Sequence, residues 1–161
     1  MGTASACIVL GLAIIFVPLQ AAAKSMPLPS FAWPVEGQVI DEDDGHRSPA
    51  SAEGIDILVP EGTEVRASLA GTVIYAGKGL ASFGNLVLIR HDGGWITVYG
   101  HNSELFVNRG DVVQTGDIIA KSGKSGFVSR PLLHFEIRKK QAAWNPAQFL
   151  PLLQAQDQEL P

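Results

Sequence analysis

The chain has 161 residues, enough for one domain with or without a leader segment. Its 12 basic and 16 acidic side chains give a formal net charge of −4, which argues against nucleic acid as a partner because nucleic-acid-binding domains carry a basic excess. With 17 Gly, 10 Pro and one Cys, the composition excludes a collagen, a coiled coil, a disulfide scaffold and a polytopic membrane protein.

The first predicted element is a leader, because residues 6–17 form an uncharged apolar run. This run is shorter than the roughly 20 residues that cross a bilayer, but it matches the core of a signal peptide. Alanines at 21–23 provide a cleavage site, so we predict a signal peptide over residues 1–23, export, and no membrane association after cleavage. The alternative is an uncleaved N-terminal anchor. Cys7 lies in the leader, which excludes disulfides and Cys-ligated zinc from the mature chain.

The rest of the chain is predicted to be a linker over residues 24–32, a domain over 33–152 and a polar C-terminal tail over 153–161. From residue 54 to residue 149, short apolar runs alternate with Gly-rich turns, which predicts β-strands and no long amphipathic helix. Residues 86–89 and 95–99 flank Asp92-Gly93-Gly94 and predict a hairpin. Strict alternation in the second strand places Ile96 and Val98 on one face and, on the other, Trp95, Thr97, Tyr99 and His101.

The domain also contains an internal repeat. A Gly turn and a short apolar strand occur at residues 62–65 and again at 71–74, and the same pattern returns at 110–113 and 116–120. We interpret these as two related hairpin units, neither of which can bury its apolar face alone. The prediction is therefore an all-β fold, a barrel-like β-sandwich of small antiparallel strands.

Nine short motifs are spread from residue 33 to residue 150. They are Trp33-Pro34-Val35-x-Gly37, Gly54-Ile55-Asp56-Ile57, Pro60-x-Gly62-Thr63-x-Val65-x-Ala67, Gly71-x-Val73, Gly84-Asn85-x-Val87, Tyr99-Gly100-His101, Gly110-Asp111-x-Val113, Leu133-His134-Phe135-Glu136-Ile137-Arg138 and Asn145-Pro146. Taken together, these motifs resemble those of the lysostaphin/LytM-type zinc peptidases. The resemblance implies a barrel-sandwich hybrid, or duplicated hybrid motif, with Gly-rich loops around a groove.

The resemblance also implies a catalytic zinc site, for which this sequence lacks two residues. Active members carry H-x-G-x-D and H-x-H, and a catalytic zinc needs three protein ligands and an open position for water. The ligands Asp56 and His134 are present, and His101 matches one catalytic histidine. Ala52 stands where the first ligand histidine belongs, and Leu132 stands where the other catalytic histidine belongs. Alanine and leucine have no donor atoms, so we expect no zinc cofactor and no peptidase activity.

The other two histidines do not repair the site. His46 lies ten residues before Asp56, which is the wrong spacing for a ligand, and His91 adjoins the predicted hairpin turn. We expect both to be solvated loop or hairpin histidines. Without metal, Asp56 and His134 are expected to form a hydrogen-bonded pair with His101 nearby, either as a structural remnant or as part of a recognition groove.

This pattern of loss resembles the non-catalytic LytM factors typified by NlpD, which implies a place in the periplasm or cell envelope of a bacterium. Those factors bind and activate N-acetylmuramoyl-L-alanine amidases in cell-wall remodelling and daughter-cell separation. The mechanism implied is a population shift, in which an amidase blocked by its own helix opens when the factor binds the open state better.

The candidate groove for a partner or for peptidoglycan has the loops 77–84 and 121–131 as its walls. Basic side chains make one wall positive, although a solvated loop is an equally open interpretation. The alternatives are a peptidoglycan-binding module without an enzyme partner and an active zinc endopeptidase. A lipoyl or biotinyl carrier is disfavoured because no lysine occupies a recognisable hairpin tip between the repeats. The groove residues are Asp56, His101, Lys121, Lys124, Arg130 and His134.

Overall fold

The computed structural model describes residues 28–40 and 54–151, so the predicted signal peptide and C-terminal tail lie outside it. Within these ranges the chain is nearly all β-structure, and no helix there is long and apolar enough to pass through a bilayer. The strands in chain order are β1 (Gln38–Ile40), β2 (Ile55–Leu58), β3 (Glu64–Arg66), β4 (Gly71–Gly77), β5 (Asn85–Arg90), β6 (Trp95–Asn102), β7 (Glu104–Leu105), β8 (Val112–Val113), β9 (Ile118–Lys121), β10 (Leu132–Lys139) and β11 (Ala142–Trp144).

Two antiparallel sheets contain these strands. The main sheet has the order β1-β2-β10-β6-β5-β4-β8, and β11 also pairs with β10. The smaller sheet has the order β3-β9-β7. Single-turn 3-10 segments occur at Asp92–Gly94 and Pro146–Gln148. The predicted small antiparallel all-β fold is confirmed.

The internal repeat is arranged differently from the two hairpin units expected from the sequence. β3 pairs with β9, and β4 pairs with β8, so each repeat pairs its strands with those of the other repeat. The hairpin interpretation is therefore wrong. The physical reason is that the strands of each repeat pair with, and bury apolar side chains against, strands of the other repeat, as Val65 opposite Ala120 illustrates.

The predicted hairpin of β5 and β6 is confirmed, with its turn at Asp92–Gly94. Gly93 and Gly94 have φ of 71° and 78°, a left-handed conformation that glycine adopts without steric cost. This hairpin and β10 form the centre of the main sheet.

Alternation along β10 separates the core from the outer face of the main sheet. Leu133, Phe135 and Ile137 belong to the buried apolar core, where the Phe135 ring lies 5.4 Å from the ring of Tyr99. Because successive side chains of a strand point to opposite faces, the outer face receives Leu132, His134, Glu136 and Arg138. The functional question therefore concerns this outer face.

A β-bulge at the end of β6 changes the direction of His101. Asn85 pairs with Asn102 but Val87 pairs with Tyr99, so β6 has one residue more than β5 in this interval. His101 has a φ of 64°, one of two positive values among the described residues other than glycine. Its ring lies 6.0 Å from that of His134 on the outer face. The expectation that His101 shares the face of Tyr99 is wrong, because a bulge re-aims the side chain.

Candidate functional site

The outer face of the main sheet holds a chain of four ionisable side chains. Antiparallel pairing of β2 with β10 places Asp56 directly opposite His134. The Asp56 Oδ1 atom lies 2.6 Å from His134 Nδ1, and Glu136 Oε1 lies 2.8 Å from His134 Nε2. Arg138 donates from Nε to the other oxygen of Glu136. We call these four residues the carboxylate–histidine cluster; it contains the hydrogen bond expected between Asp56 and His134.

Glu136 is a site residue that the sequence analysis missed. It lies in the motif Leu133-His134-Phe135-Glu136-Ile137-Arg138, but it is not among the site residues predicted from the sequence. The available signal was alternation: Glu136 is two residues beyond His134 on a strand, so the two side chains share a face. Glu136 and His134 have no exposed surface, so the glutamate is an integral part of the cluster.

The two carboxylates set the protonation state of His134. Burial disfavours the charged imidazolium, but hydrogen bonds to Asp56 and Glu136 outweigh burial and raise the pKa of His134 above its ordinary value. Burial likewise disfavours the charged form of Glu136, but hydrogen bonds from His134 and Arg138 outweigh it and lower the pKa of Glu136. The cluster therefore favours the charged forms of both His134 and Glu136.

His101 lies beside the cluster in the opposite protonation state. Burial lowers the pKa of His101, although its hydrogen bond to the backbone of Ser125 acts in the other direction. The Nδ1 atom lies 2.8 Å from the Ser125 carbonyl oxygen, which can only accept, so Nδ1 carries the proton. Nε2 of the neutral ring is then an acceptor, and within the described part of the chain it has no hydrogen-bond partner.

Phe83 covers both histidine rings. Its ring stacks on His101 at a centroid distance of 6.5 Å and lies tilted against His134 at 5.5 Å. The His101 backbone N–H also donates to the Phe83 carbonyl at 2.7 Å. The site is therefore closed by an aromatic side chain from the loop 77–84.

The two loops expected to flank the site contact each other. The Phe127 N–H donates to the Ser82 carbonyl at 3.1 Å, and the Asn85 N–H donates to the Ser125 hydroxyl at 2.9 Å. A Cβ added to Gly84 would lie 2.4 Å from the Ser125 carbonyl carbon, so this close approach requires glycine. The contact fixes the Ser125 carbonyl that holds the His101 ring.

Of the two positions at which the family's histidines are replaced, Ala52 and Leu132, the structure describes Leu132. Its side chain is fully buried, and its N–H donates to the Gly123 carbonyl at 3.1 Å, so it fills space beneath the second loop. Ala52 and His46 lie outside the described residues. His91 is a hairpin histidine, as expected, but it is not solvated: it is buried, with hydrogen bonds of 2.8 Å to the Ala70 carbonyl and the Thr97 hydroxyl.

The described residues do not fit a catalytic zinc ion. Within residues 28–40 and 54–151 no three His, Cys, Asp or Glu side chains are grouped to hold a metal. Both ring nitrogens of His134 lie within hydrogen-bonding distance of carboxylate oxygens, so neither is directed at an open position. Leu132 adds no donor. The cluster has the arrangement of a buried ion-pair network.

The three predicted basic groove residues have different surroundings. Lys121 is on β9 in the smaller sheet, where its ammonium lies 3.8 Å from Glu104 and 5.7 Å from the centre of the Phe106 ring. Lys124 is exposed in the loop 121–131, and Arg130 is partly buried in the same loop. The contacts of Lys121 thus tie it to the smaller sheet, and the role of the three residues in a groove stays a prediction.

Comparison with known proteins identifies related sequences. Residues 50–146 match the sequence model of Peptidase family M23. The chain is 41% identical over 121 residues to the lipoprotein NlpD/LppB homolog of Pseudomonas aeruginosa, covering 75% of this chain and 40% of the relative. It is 38% identical over 127 residues to the murein hydrolase activator NlpD of Escherichia coli, covering 79% of this chain and 33% of the relative. The chain thus spans between a third and two fifths of these relatives.

Solved structures share the fold. A chain of the SpoIIQ–SpoIIIAH pore-forming complex superposes with a TM-score of 0.65 at 33% identity, covering 76% of this chain and 91% of that one. The catalytic domain of lysostaphin from Staphylococcus simulans superposes with a TM-score of 0.57 at 27% identity, covering 76% of this chain and 88% of that one. The same fold therefore occurs in a peptidase and in a protein–protein complex, so activity has to be argued from the site.

Proposed function

Since the chain belongs to Peptidase family M23, we propose that it is a non-catalytic member that binds and activates a peptidoglycan hydrolase in the bacterial cell envelope. The hydrolase is an N-acetylmuramoyl-L-alanine amidase acting in cell-wall remodelling or daughter-cell separation. The E. coli relative is named a murein hydrolase activator, which supports this assignment. Export to the periplasm belongs to the same proposal and is supported by the apolar run over residues 6–17.

The observation that carries the non-catalytic assignment is the closed carboxylate–histidine cluster. Metal-assisted peptide hydrolysis needs a bound water whose pKa is lowered by an ion with an open coordination position. Here the imidazole of His134 is engaged on both nitrogens, and Leu132 and Ala52 supply no donors. Among the described residues, this site therefore lacks the three ligands that a water-activating zinc ion requires.

Activation of a separate enzyme then follows from binding energy alone. An inactive and an active conformation of the hydrolase exchange, and a partner that binds the active one more tightly shifts the population towards it. The shift equals the difference between the two affinities, so the factor needs no chemistry of its own.

The test combines the purified chain, dye-labelled peptidoglycan and each amidase of the source organism. We expect no dye release from the chain alone, with or without added zinc, and a severalfold faster release when the cognate amidase is present. Dye release by the chain alone that a chelator abolishes would establish a zinc endopeptidase and refute the proposal. Binding to purified sacculi without any effect on an amidase would identify a peptidoglycan-binding module instead.

A further inference from the structure

A surface cavity of about 370 Å³ lies at the end of the main sheet that is away from the carboxylate–histidine cluster. Its charged residues are Asp92, in the turn between β5 and β6, and Lys139, at the end of β10. Lys139 is five residues beyond His134, so the two lie about 17 Å apart along the strand. We call this surface the turn cavity, and its apolar lining includes Leu28, Pro29, Leu69 and Trp95.

The turn cavity has one acidic and one basic side chain that a ligand can reach. Within residues 28–40 and 54–151, no ion pair involves Asp92 or Lys139, although both line the same cavity. Asp92 is exposed and Lys139 is partly buried. A ligand that enters the cavity can therefore pair with a carboxylate on one side and with an ammonium on the other.

Trp95 holds the basic end of the turn cavity in place. Lys139 lies directly opposite Trp95 in the pairing of β10 with β6, and its ammonium is 4.6 Å from the centre of the indole ring. The indole in turn packs against the rings of Phe31, Trp144 and Phe149 at centroid distances of 6.0, 5.8 and 5.1 Å. An ammonium over an aromatic face keeps its charge and its other N–H donors. The basic end is therefore preorganised, which reduces the entropy lost when a ligand binds.

We infer that the turn cavity binds a short peptide in its zwitterionic form. The ammonium of the peptide pairs with Asp92, its carboxylate pairs with Lys139, and a small apolar side chain lies on Leu69 and Pro29. A ligand with only one of the two charges would form only one of the two ion pairs. The volume lies within the range of about 300–1,000 Å³ that small-molecule sites occupy. This site is separate from the cluster, and it does not depend on the activation of a hydrolase.

The experiment titrates the purified protein with dialanine, N-acetyl-dialanine and dialanine amide. The last two probes each lack one of the two charges. Calorimetry measures the affinity, and the NMR signal of the Trp95 indole N–H reports the place of binding, with Trp33, which does not line the cavity, as the internal reference. We expect dialanine to bind and to shift the Trp95 signal, and each capped probe to bind at least about threefold more weakly.

Two variants remove the charges of the cavity one at a time. Asp92→Asn keeps a residue that suits a turn, and Lys139→Met keeps an unbranched side chain over the indole. The first should no longer distinguish dialanine from its N-acetyl form, and the second should no longer distinguish dialanine from its amide. The matched controls Glu61→Gln and Lys78→Met remove exposed charges outside the cavity and should leave the affinity within about twofold of the wild type.

Three results would each overturn the inference: equal affinity for the three probes, wild-type affinity in both cavity variants, or no binding of dialanine at about 10 mM. The comparison of probes uses the wild type, so it does not depend on how well a variant folds. Two sources of such a peptide are separated by purified sacculi. Release of the protein from sacculi by excess dialanine supports peptide stems attached to the cell wall, whereas dialanine binding without release supports a free peptide.

Discussion

Two adjoining parts of the outer face of the main sheet, the carboxylate–histidine cluster and an apolar trough, share Glu136 and Arg138 but differ in their exposure to water. In the cluster, His134 and Glu136 are fully buried, and their charges are compensated by each other and by Asp56 and Arg138. The trough is a surface cavity of about 250 Å³ whose apolar side chains range from buried to exposed, with the exposed Lys140 at its edge; its apolar residues are Leu80, Phe83, Leu86, Leu88, Ile96 and Val98. The comparison shows that compensated charge fills the buried part of this face, whereas the trough leaves apolar surface accessible to water.

The substitution with the largest expected effect is one that breaks the cluster. His134→Ala leaves the carboxylates of Asp56 and Glu136 buried without their shared partner, which should lower the free energy of unfolding by about 3–5 kcal/mol. Urea denaturation measures this loss. Phe127→Ala, at a side chain that is 63% exposed, is the control and should cost about 0.5 kcal/mol or less. A loss below about 1 kcal/mol for His134→Ala would show that the cluster is not a stabilising network.

The second largest expected effect is the pH dependence of the unfolding free energy lost in His134→Ala. The folded-state pKa of His134 is raised, so its stabilisation is fully present below the ordinary pKa of 6.5 and disappears as pH rises through the raised value. The penalty of His134→Ala should therefore be larger at about pH 6 than at about pH 9. Comparing variant with wild type at each pH reduces the opposite contribution of His101, whose pKa is lowered chiefly by burial. A penalty that grows towards alkaline pH contradicts the imidazolium assignment.

Substitutions in the trough test the stability contribution of the other part of the outer face. Leu88→Ser and Ile96→Ser remove apolar contacts from half-buried side chains, so each should cost about 1 kcal/mol in stability, well below the cost of breaking the cluster. The same urea experiment measures these values. A loss above about 3 kcal/mol for either variant would contradict the half-buried placement of these side chains.

The smallest expected effect is that of added zinc on the melting temperature. A ligand that binds the folded state raises the melting temperature in proportion to the logarithm of its concentration over its dissociation constant. Because the described residues provide no three-donor group, an approximately tenfold molar excess of zinc should leave the melting temperature unchanged. Differential scanning calorimetry with and without a chelator makes the measurement. A clear upward shift would mean that the cluster rearranges around a metal.

Much of the fold could be predicted because it depends on local chemistry. The Asp92-Gly93-Gly94 turn requires glycine conformations, and the alternation of Ile96 and Val98 follows from the strand period. The hydrogen bond between Asp56 and His134 was also expected, on the residues that resemble the family motifs. The repeats were visible as well, but not how they pair, because pairing depends on which strands bury one another's apolar faces.

The candidate site was harder to predict because it depends on departures from regular structure and on neighbours distant in sequence. One extra residue in β6 turns His101 from the core face to the outer face, and the alternation of apolar residues along that strand does not predict this bulge. The trough needs residues from four separate segments, among them Leu80, Lys140 and the strand pair β5–β6. Sequence spacing gives no measure of such distances.

The sequence by itself determined which donor atoms the chain can offer: Asp56, His101 and His134 are present, and Ala52 and Leu132 contribute none. It also determined the strand and turn pattern that forms the two sheets. Only the tertiary structure decided what the remaining groups do, because protonation and recognition depend on burial and on the partner within hydrogen-bonding distance. Pairing of β2 with β10 encloses His134 between two carboxylates, and the turn after β10 brings Lys140 to an open apolar surface.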